Sequence, residues 1–168
     1  ALMKISAWHK AQGHTVEWYN ALFGADKVYS SKVFTFSPWD HYLPPDVILG
    51  GVGYVKKEKL DEEIEHIMPD YSLYGSTYSQ GYTTRGCTSS SAICKECVVP
   101  WNEGSIKPHA KITEFLKHDS VVVMDNNILA HQHGIEQLEY CADKGVKVDI
   151  NQGVDAALID DGIAKLFS

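Results

Sequence analysis

The sequence predicts an α/β chain in which helices and short strands alternate, divided near residue 70. Apolar residues switch repeatedly between helical spacing and short strand-like runs. From residue 71 onward the pattern resolves into three consecutive strand-then-helix units. A polar cluster follows each strand: the cysteine segment, then Asp125-Asn126-Asn127, then Asn151-Gln152. In parallel α/β layers such loops converge over one edge of the sheet, where helix N-termini offer free N–H donors, so the three clusters are expected to share one site.

The first region, 1–70, opens on a helix. Leu2, Ile5 and Trp8 recur at helical spacing, and Gly13 stands where a C-terminal cap belongs. No strand precedes this helix, which, with Ala1 at the start, suggests that the natural beginning is missing. Thr15 to Tyr19 alternates like a strand, Lys27 to Phe36 is a second β-rich run, and Asp46 to Gly51 reads as a short buried strand. Gly50-Gly51-Val52-Gly53 lacks dinucleotide-fingerprint spacing and reads as a turn. The charged stretch Lys56 to Glu65 reads as a solvated helix, and Pro69-Asp70-Tyr71 marks the boundary.

In the second region, 71–168, Tyr78 to Thr84 is expected to be a strand running into the cysteines. His109 to His118 follows as a helix and Ser120 to Met124 as a strand. Ile135 to Lys144 is a helix stopped by Gly145, Val146 to Ile150 a strand, and Asp155 to Leu166 a final helix.

Composition narrows the function classes. Fifteen basic against 22 acidic residues give a net charge of -7 with no basic stripe, which argues against nonspecific nucleic-acid binding. Apolar runs such as Val121 to Met124 are far shorter than the ~20 residues of a membrane span. No signal-peptide pattern opens the sequence. Three of the four cysteines cluster at 87, 94 and 97, which favours metal over disulfides and a reducing cytoplasm as the compartment.

Thiolates bind iron or zinc, and the Cys94-x-x-Cys97 pair lets two sulfurs converge on one metal or cluster, with Cys87 as a third ligand. Spacing alone leaves three readings open. One is a [4Fe-4S] cluster with one iron lacking a protein thiolate. Another is structural zinc completed by a histidine such as His109, and the third is a redox pair.

The run Gly81-Tyr82-Thr83-Thr84-Arg85-Gly86-Cys87, continued by Cys94-Lys95-Glu96-Cys97-Val98-Val99-Pro100, resembles the cluster loop of radical S-adenosylmethionine (SAM) enzymes. There a strand ends in Thr-x-Arg-Gly-Cys and the cysteines follow as Cys-x3-Cys-x2-Cys. Ile67 to Tyr74, Met124 to Asn127 and Asn151 to Ala156 also resemble phrases of bacterial and phage members of that family.

The resemblance implies a flavodoxin-like, cobalamin-domain-like partial parallel sheet over 1–70 and the first half of a radical SAM (βα) barrel over 71–168. It implies that Cys87, Cys94 and Cys97 each hold one iron of a [4Fe-4S] cluster while SAM chelates the fourth. Reductive cleavage of SAM to a 5'-deoxyadenosyl radical would then act on an unknown substrate. Asp125, Asn126 and Asn127 occupy the place that contacts the SAM amino group, with Asn151 and Gln152 as further cofactor contacts. A reductant such as flavodoxin or ferredoxin is implied as a partner, and a partner chain is expected to complete the barrel. No Asp-x-His-x-x-Gly signature is present, so no cobalamin is expected to bind through one.

The sequence departs from the family in two places. The first cysteine gap holds six residues, Thr88 to Ile93, rather than three, and Glu96 stands where an aromatic residue is usual. Added loop length costs little closure entropy, so the longer gap can bulge outward. A zinc-stabilised binding module and an inactive truncated fragment stand as alternatives. Elsewhere, His131 and His133 are read as a solvated loop, Cys141 as a small buried hydrophobe, and Trp8, Trp18, Trp39 and Trp101 as core or domain-contact residues.

Overall fold

The computed structural model of the chain describes residues 1–38, 41–54, 59–87 and 103–168. It is mixed α/β with small parallel sheets and divides into two units, residues 1–75 and 76–168. No helix among the described residues is long and apolar enough to cross a membrane.

In the first unit, helix α1 (Leu2–Ala11) is followed by strands β1 (Tyr29–Ser31) and β2 (Ile48–Gly50), which pair in parallel with Tyr29 opposite Ile48. A 3-10 turn (Val52–Tyr54), a single helical turn, α2 (Glu62–Glu65), and a second 3-10 turn (Tyr71–Leu73) follow. The expected strand over 15–19 does not form. A strand needs a ladder partner, and this run instead sets Trp18 on the surface, 58% exposed. Its indole N–H donates to the Leu73 carbonyl at 3.2 Å and its ring stands edge-on to Tyr74. Of the helix expected over 56–65, residues 59–61 are not helical and 62–65 form α2; residues 55–58 lie outside the described residues.

The turn around Asp70 ties this unit together. Its backbone N–H donates to the Met3 carbonyl at 2.9 Å. One carboxylate oxygen accepts from Ser6 Oγ at 2.6 Å and pairs with Lys10 Nζ at 2.7 Å. The other accepts from Ser72 N and Oγ, capping the 3-10 turn. Burial alone would raise the Asp70 carboxyl, but the hydrogen bonds from Lys10, Ser6 and Ser72 and the Lys10 charge outweigh it. They hold the group well below the usual carboxylate range.

The second unit is built on strands β3 (Ser79–Gly81), β6 (Ser120–Val123) and β7 (Lys147–Ile150), in that order and all parallel. Ser79 faces Val121, and Ser120 faces Lys147. A two-residue antiparallel pair, β4 (Thr84–Arg85) with β5 (Lys107–Pro108), projects beyond the end of β3. Helix α3 (Gln132–Lys144) connects β6 to β7, and α4 (Asp161–Leu166) follows β7.

Period-two alternation sends Val121 and Val123 to one face, where they pack against Leu138 and Cys141 of α3 and Ile163 of α4. Each fully buried side chain of this size contributes about 1.5–3 kcal/mol. Cys141 behaves as a core residue; burial pushes its thiol up to about 11. The opposite face presents Gln80, Val122, Met124, Asp149 and Asn151 to an open groove of about 580 Å³.

Two expected helices are altered. Over 109–118 only a 3-10 turn forms (Ile112–Glu114), burying Ala110, Ile112 and Phe115. Ser79 Oγ accepts from the N–H groups of Lys117 and His118 at 2.8 and 3.0 Å, so these groups are not available to continue a helix. Over 155–166 two aspartates compete as caps. Asp155 accepts from Ala157 N and Asp160 from Ile163 N, splitting the segment into a turn (Ala156–Leu158) and α4. The helix expected over 135–144 begins earlier, at Gln132, because His131 caps it: its Nδ1 accepts from His133 N at 3.0 Å. The helix stops as expected at Gly145, whose φ of 66° is left-handed.

Because the Asp70 carboxyl sits below its unfolded value of about 4, its stabilising contribution is complete above that pH and is lost as pH falls through the lower folded value. Asp70→Asn is expected to lower the urea midpoint near neutral pH. The gap to wild type should narrow as pH falls from about 5 toward 2. A gap that stays constant over that range contradicts the capping role.

Candidate functional site

The carboxyl edge of the three-stranded sheet is organised by Asp125. This residue follows β6, has no exposed surface, and receives four hydrogen bonds from two consecutive threonines beyond β3. Thr83 donates through its N–H at 3.0 Å and its hydroxyl at 2.7 Å. Thr84 donates through its N–H at 2.5 Å and its hydroxyl at 2.6 Å. Both threonines are buried as well. A carboxylate is costly to bury unless its lone pairs are matched by donors, and here both oxygens are matched.

Asp125 Oδ1 takes three of these hydrogen bonds and Oδ2 one, so the carboxylate holds Thr83 and Thr84 from a buried position. It positions the chain that enters the cysteine segment.

Beyond the threonines the segment is closed at its neck. β4 and β5 pair across it, the Cys87 N–H donates to the Gly104 carbonyl at 3.1 Å, and the Gly86 N–H donates to Glu103 Oε2 at 2.9 Å. Arg85 Nη1 lies 3.5 Å from Glu103 Oε1, and the guanidinium stacks over Tyr82 at 4.0 Å from the ring centroid. Partly exposed pairs of this kind add little stability individually, but together they fix the direction of approach. Gly86 has φ 88°, and a Cβ there would come within 2.4 Å of the Ser105 carbonyl oxygen, so only glycine fits. The His109 N–H also donates to the Thr83 carbonyl at 2.9 Å, bracing the neck from its other strand.

Cys87 thus leaves the neck partly exposed. Cys94 and Cys97 fall within residues 88–102, outside the described residues, as do Glu96 and Trp101. Among the described residues no three His, Cys, Asp or Glu side chains form a metal-binding group.

The second polar cluster comes to the same neck. Asn126 Nδ2 donates to the Gly86 carbonyl at 3.4 Å, immediately before Cys87. Asn127 is 8% exposed, and its Oδ1 has no hydrogen-bond partner among the described residues. A buried acceptor without a donor is costly, and it suits a ligand N–H or O–H group. Asn151 also reaches this edge: its N–H donates to the Val123 carbonyl at 3.1 Å, and it lines the open groove beside Met124 and Gln80. Gln152 sits in an exposed turn after β7. The expected solvated pair His131 and His133 is structural instead: His131 caps α3 and His133 Nε2 lies 3.0 Å from the Ala110 carbonyl oxygen.

Thr83, Thr84, Glu103 and the polarity of the neck are the parts that sequence reasoning missed. A Thr-Thr pair just before Arg-Gly-Cys, and an acid a few residues beyond the last cysteine, are the available signals. The pairing of Thr83 and Thr84 with Asp125, 42 and 41 residues away, is not visible in any local pattern. No family model, no curated protein and no solved structure matches the chain.

Replacing Asp125 with asparagine keeps the shape but turns half of the acceptor into a donor facing Thr83 and Thr84. At about 1.5–3 kcal/mol for a hydrogen bond to a charged group, Asp125→Asn is expected to cost at least about 3 kcal/mol in urea unfolding. Thr84→Val, which removes one hydroxyl, should cost less. Equal and small losses for both variants would contradict the bonding described.

Proposed function

We propose that the second unit is a radical SAM-type iron-sulfur unit, with a [4Fe-4S] cluster held by Cys87, Cys94 and Cys97 at the carboxyl edge of the β3-β6-β7 sheet. The observation that carries this reading is the arrangement around Cys87. A buried Asp125 clamps Thr83 and Thr84, so the cysteine segment departs from the end of a parallel strand directly beside the Asn126-Asn127 turn. The parallel order in chain sequence, helices on one face and an open groove on the other, supports a partial (βα) barrel as the finer description. For the first unit, the parallel β1-β2 pair supports a flavodoxin-like partial layer.

Two described residues support this reading. Cys87 offers a thiol at a partly exposed position, and Asn127 Oδ1 offers a buried acceptor awaiting a donor. Bound there, the cluster and SAM would supply one-electron reductive cleavage of SAM for chemistry on a substrate, the electron coming from a carrier such as flavodoxin or ferredoxin. The chain's own residues bind and orient. Asn127 would accept from a polar N–H or O–H of the cofactor, Asn126 holds the backbone ahead of Cys87 in place, and Asn151, with Gln152 in the turn beside it, would contribute amide groups at the rim of the groove. Asp125 serves as a positioning residue beneath them. A reducing compartment such as the cytoplasm is where thiolate ligation of this kind persists.

Iron, sulfide and zinc measured after anaerobic reconstitution test the reading. About four irons and four sulfides per chain, with broad absorbance near 400 nm, are expected, and Cys94→Ala should lose them. About one zinc and no sulfide would overturn the proposal and make the segment a structural clip. Absence of both metals would make the unit a folded α/β layer without a metal centre.

A further inference from the structure

We propose that the outer edge of β7 pairs antiparallel with β7 of a second copy of this chain, across a twofold axis at Val148, joining two three-stranded sheets into one. The inference goes beyond the cluster reading and does not rest on it.

Among the described residues, β7 is paired on one side only, with β6. The Lys147 N–H donates to the Asp119 carbonyl and the Asn151 N–H to the Val123 carbonyl, which fixes the alternation: odd-numbered residues of β7 turn their backbone groups toward β6. Val148 and Ile150 therefore turn theirs to the open edge. Two groups near that edge are already satisfied. The Val146 N–H donates to the Cys141 carbonyl at 2.9 Å, and the Ile150 carbonyl accepts from the Gly153 N–H at 3.2 Å.

An antiparallel twin centred on Val148 uses what remains. Val148 stands opposite its own copy as a hydrogen-bonded pair, exchanging N–H and C=O in both directions. Each Ile150 N–H reaches the Val146 carbonyl of the second copy. The two groups already satisfied, Val146 N–H and Ile150 C=O, fall opposite each other at the one rung that is not needed. No edge donor is left over.

The side chains agree with the same register. Centring on Val148 places Lys147 of each copy opposite Asp149 of the other, in the close non-hydrogen-bonded arrangement where cross-strand charges interact most directly. Both residues are exposed and share one face. Lys-Val-Asp is thus self-complementary when read in opposite directions, which a parallel partner strand does not require. On the other face the twofold brings together two copies of an apolar groove of about 760 Å³, bordered by Leu138, Val148, Ile150, Leu166 and the 44%-exposed Phe167. A residue-i-to-residue-j contact repeated as j to i is what an isologous dimer requires. The second copy occupies the edge at which a barrel-completing partner chain would otherwise add a strand.

Light scattering coupled to size exclusion, over a range of concentrations of the full chain, tests this. Wild type is expected at twice 18.7 kDa. Asp149→Lys sets like charges opposite each other at both ends of the pair and should weaken dimerisation by roughly tenfold or more. Its far-UV circular dichroism should be unchanged, because the residue is exposed. Lys147→Asp should behave likewise. An equimolar mixture of the two single variants, and the double variant Lys147→Asp/Asp149→Lys, should each recover the dimer. A wild type that stays at 18.7 kDa at every concentration, or a dimer indifferent to both charge reversals, overturns the proposal.

Discussion

The candidate site depends on one buried carboxylate. Asp125 stands at the end of the central strand β6, and its two oxygens hold the backbone and hydroxyls of Thr83 and Thr84 at the end of the neighbouring strand. This fixes where β3 stops and in which direction the chain leaves it. The β4-β5 pair, the Glu103 contacts and the left-handed Gly86 are all built outward from that fixed point. A carboxylate in such a place is stable only while its donors are present, so the constraint is mutual: the threonines need Asp125 and Asp125 needs the threonines.

The first unit uses the same device at a different depth. Asp70 gathers Ser6, Lys10 and Ser72 and ties helix α1 to the turn at Tyr71. Hydroxyl donors are common to both, but Asp70 also has a cation, whereas among the described residues Asp125 is held by Thr83 and Thr84. That difference follows from exposure. A half-open site can keep a solvated lysine beside the carboxylate, whereas the closed one at β6 relies on short-reach donors that bring no charge of their own.

Much of the second unit was legible in the sequence because its signals are local. Val121 to Val123, the helix stopped by Gly145 and the strand ending at Ile150 carry periodicity and punctuation that need no distant partner. The segments that misled were those whose fate is set elsewhere. His109 to His118 has a helical pattern, yet a serine on β3 takes the N–H groups that would have continued it. Thr15 to Tyr19 alternates like a strand but pairs with no strand among the described residues. At the site, the convergence of the loops after β3 and β6 followed from parallel α/β logic, while the role of Asp125 did not. A lone acid after a strand looks the same in sequence whether it faces a ligand or a pair of buried threonines.

The most direct measurement of this organising constraint is amide hydrogen exchange at Thr83 and Thr84. The Met124 N–H, which donates to the Gly81 carbonyl within the sheet, supplies the internal reference. If Asp125 holds both threonine amides, they exchange on the same scale as Met124, although they lie beyond the end of β3 and have no strand partner for these groups. If they exchange as fast as amides in an exposed turn, the carboxylate does not clamp them, and the account of how the cysteine segment is positioned is wrong.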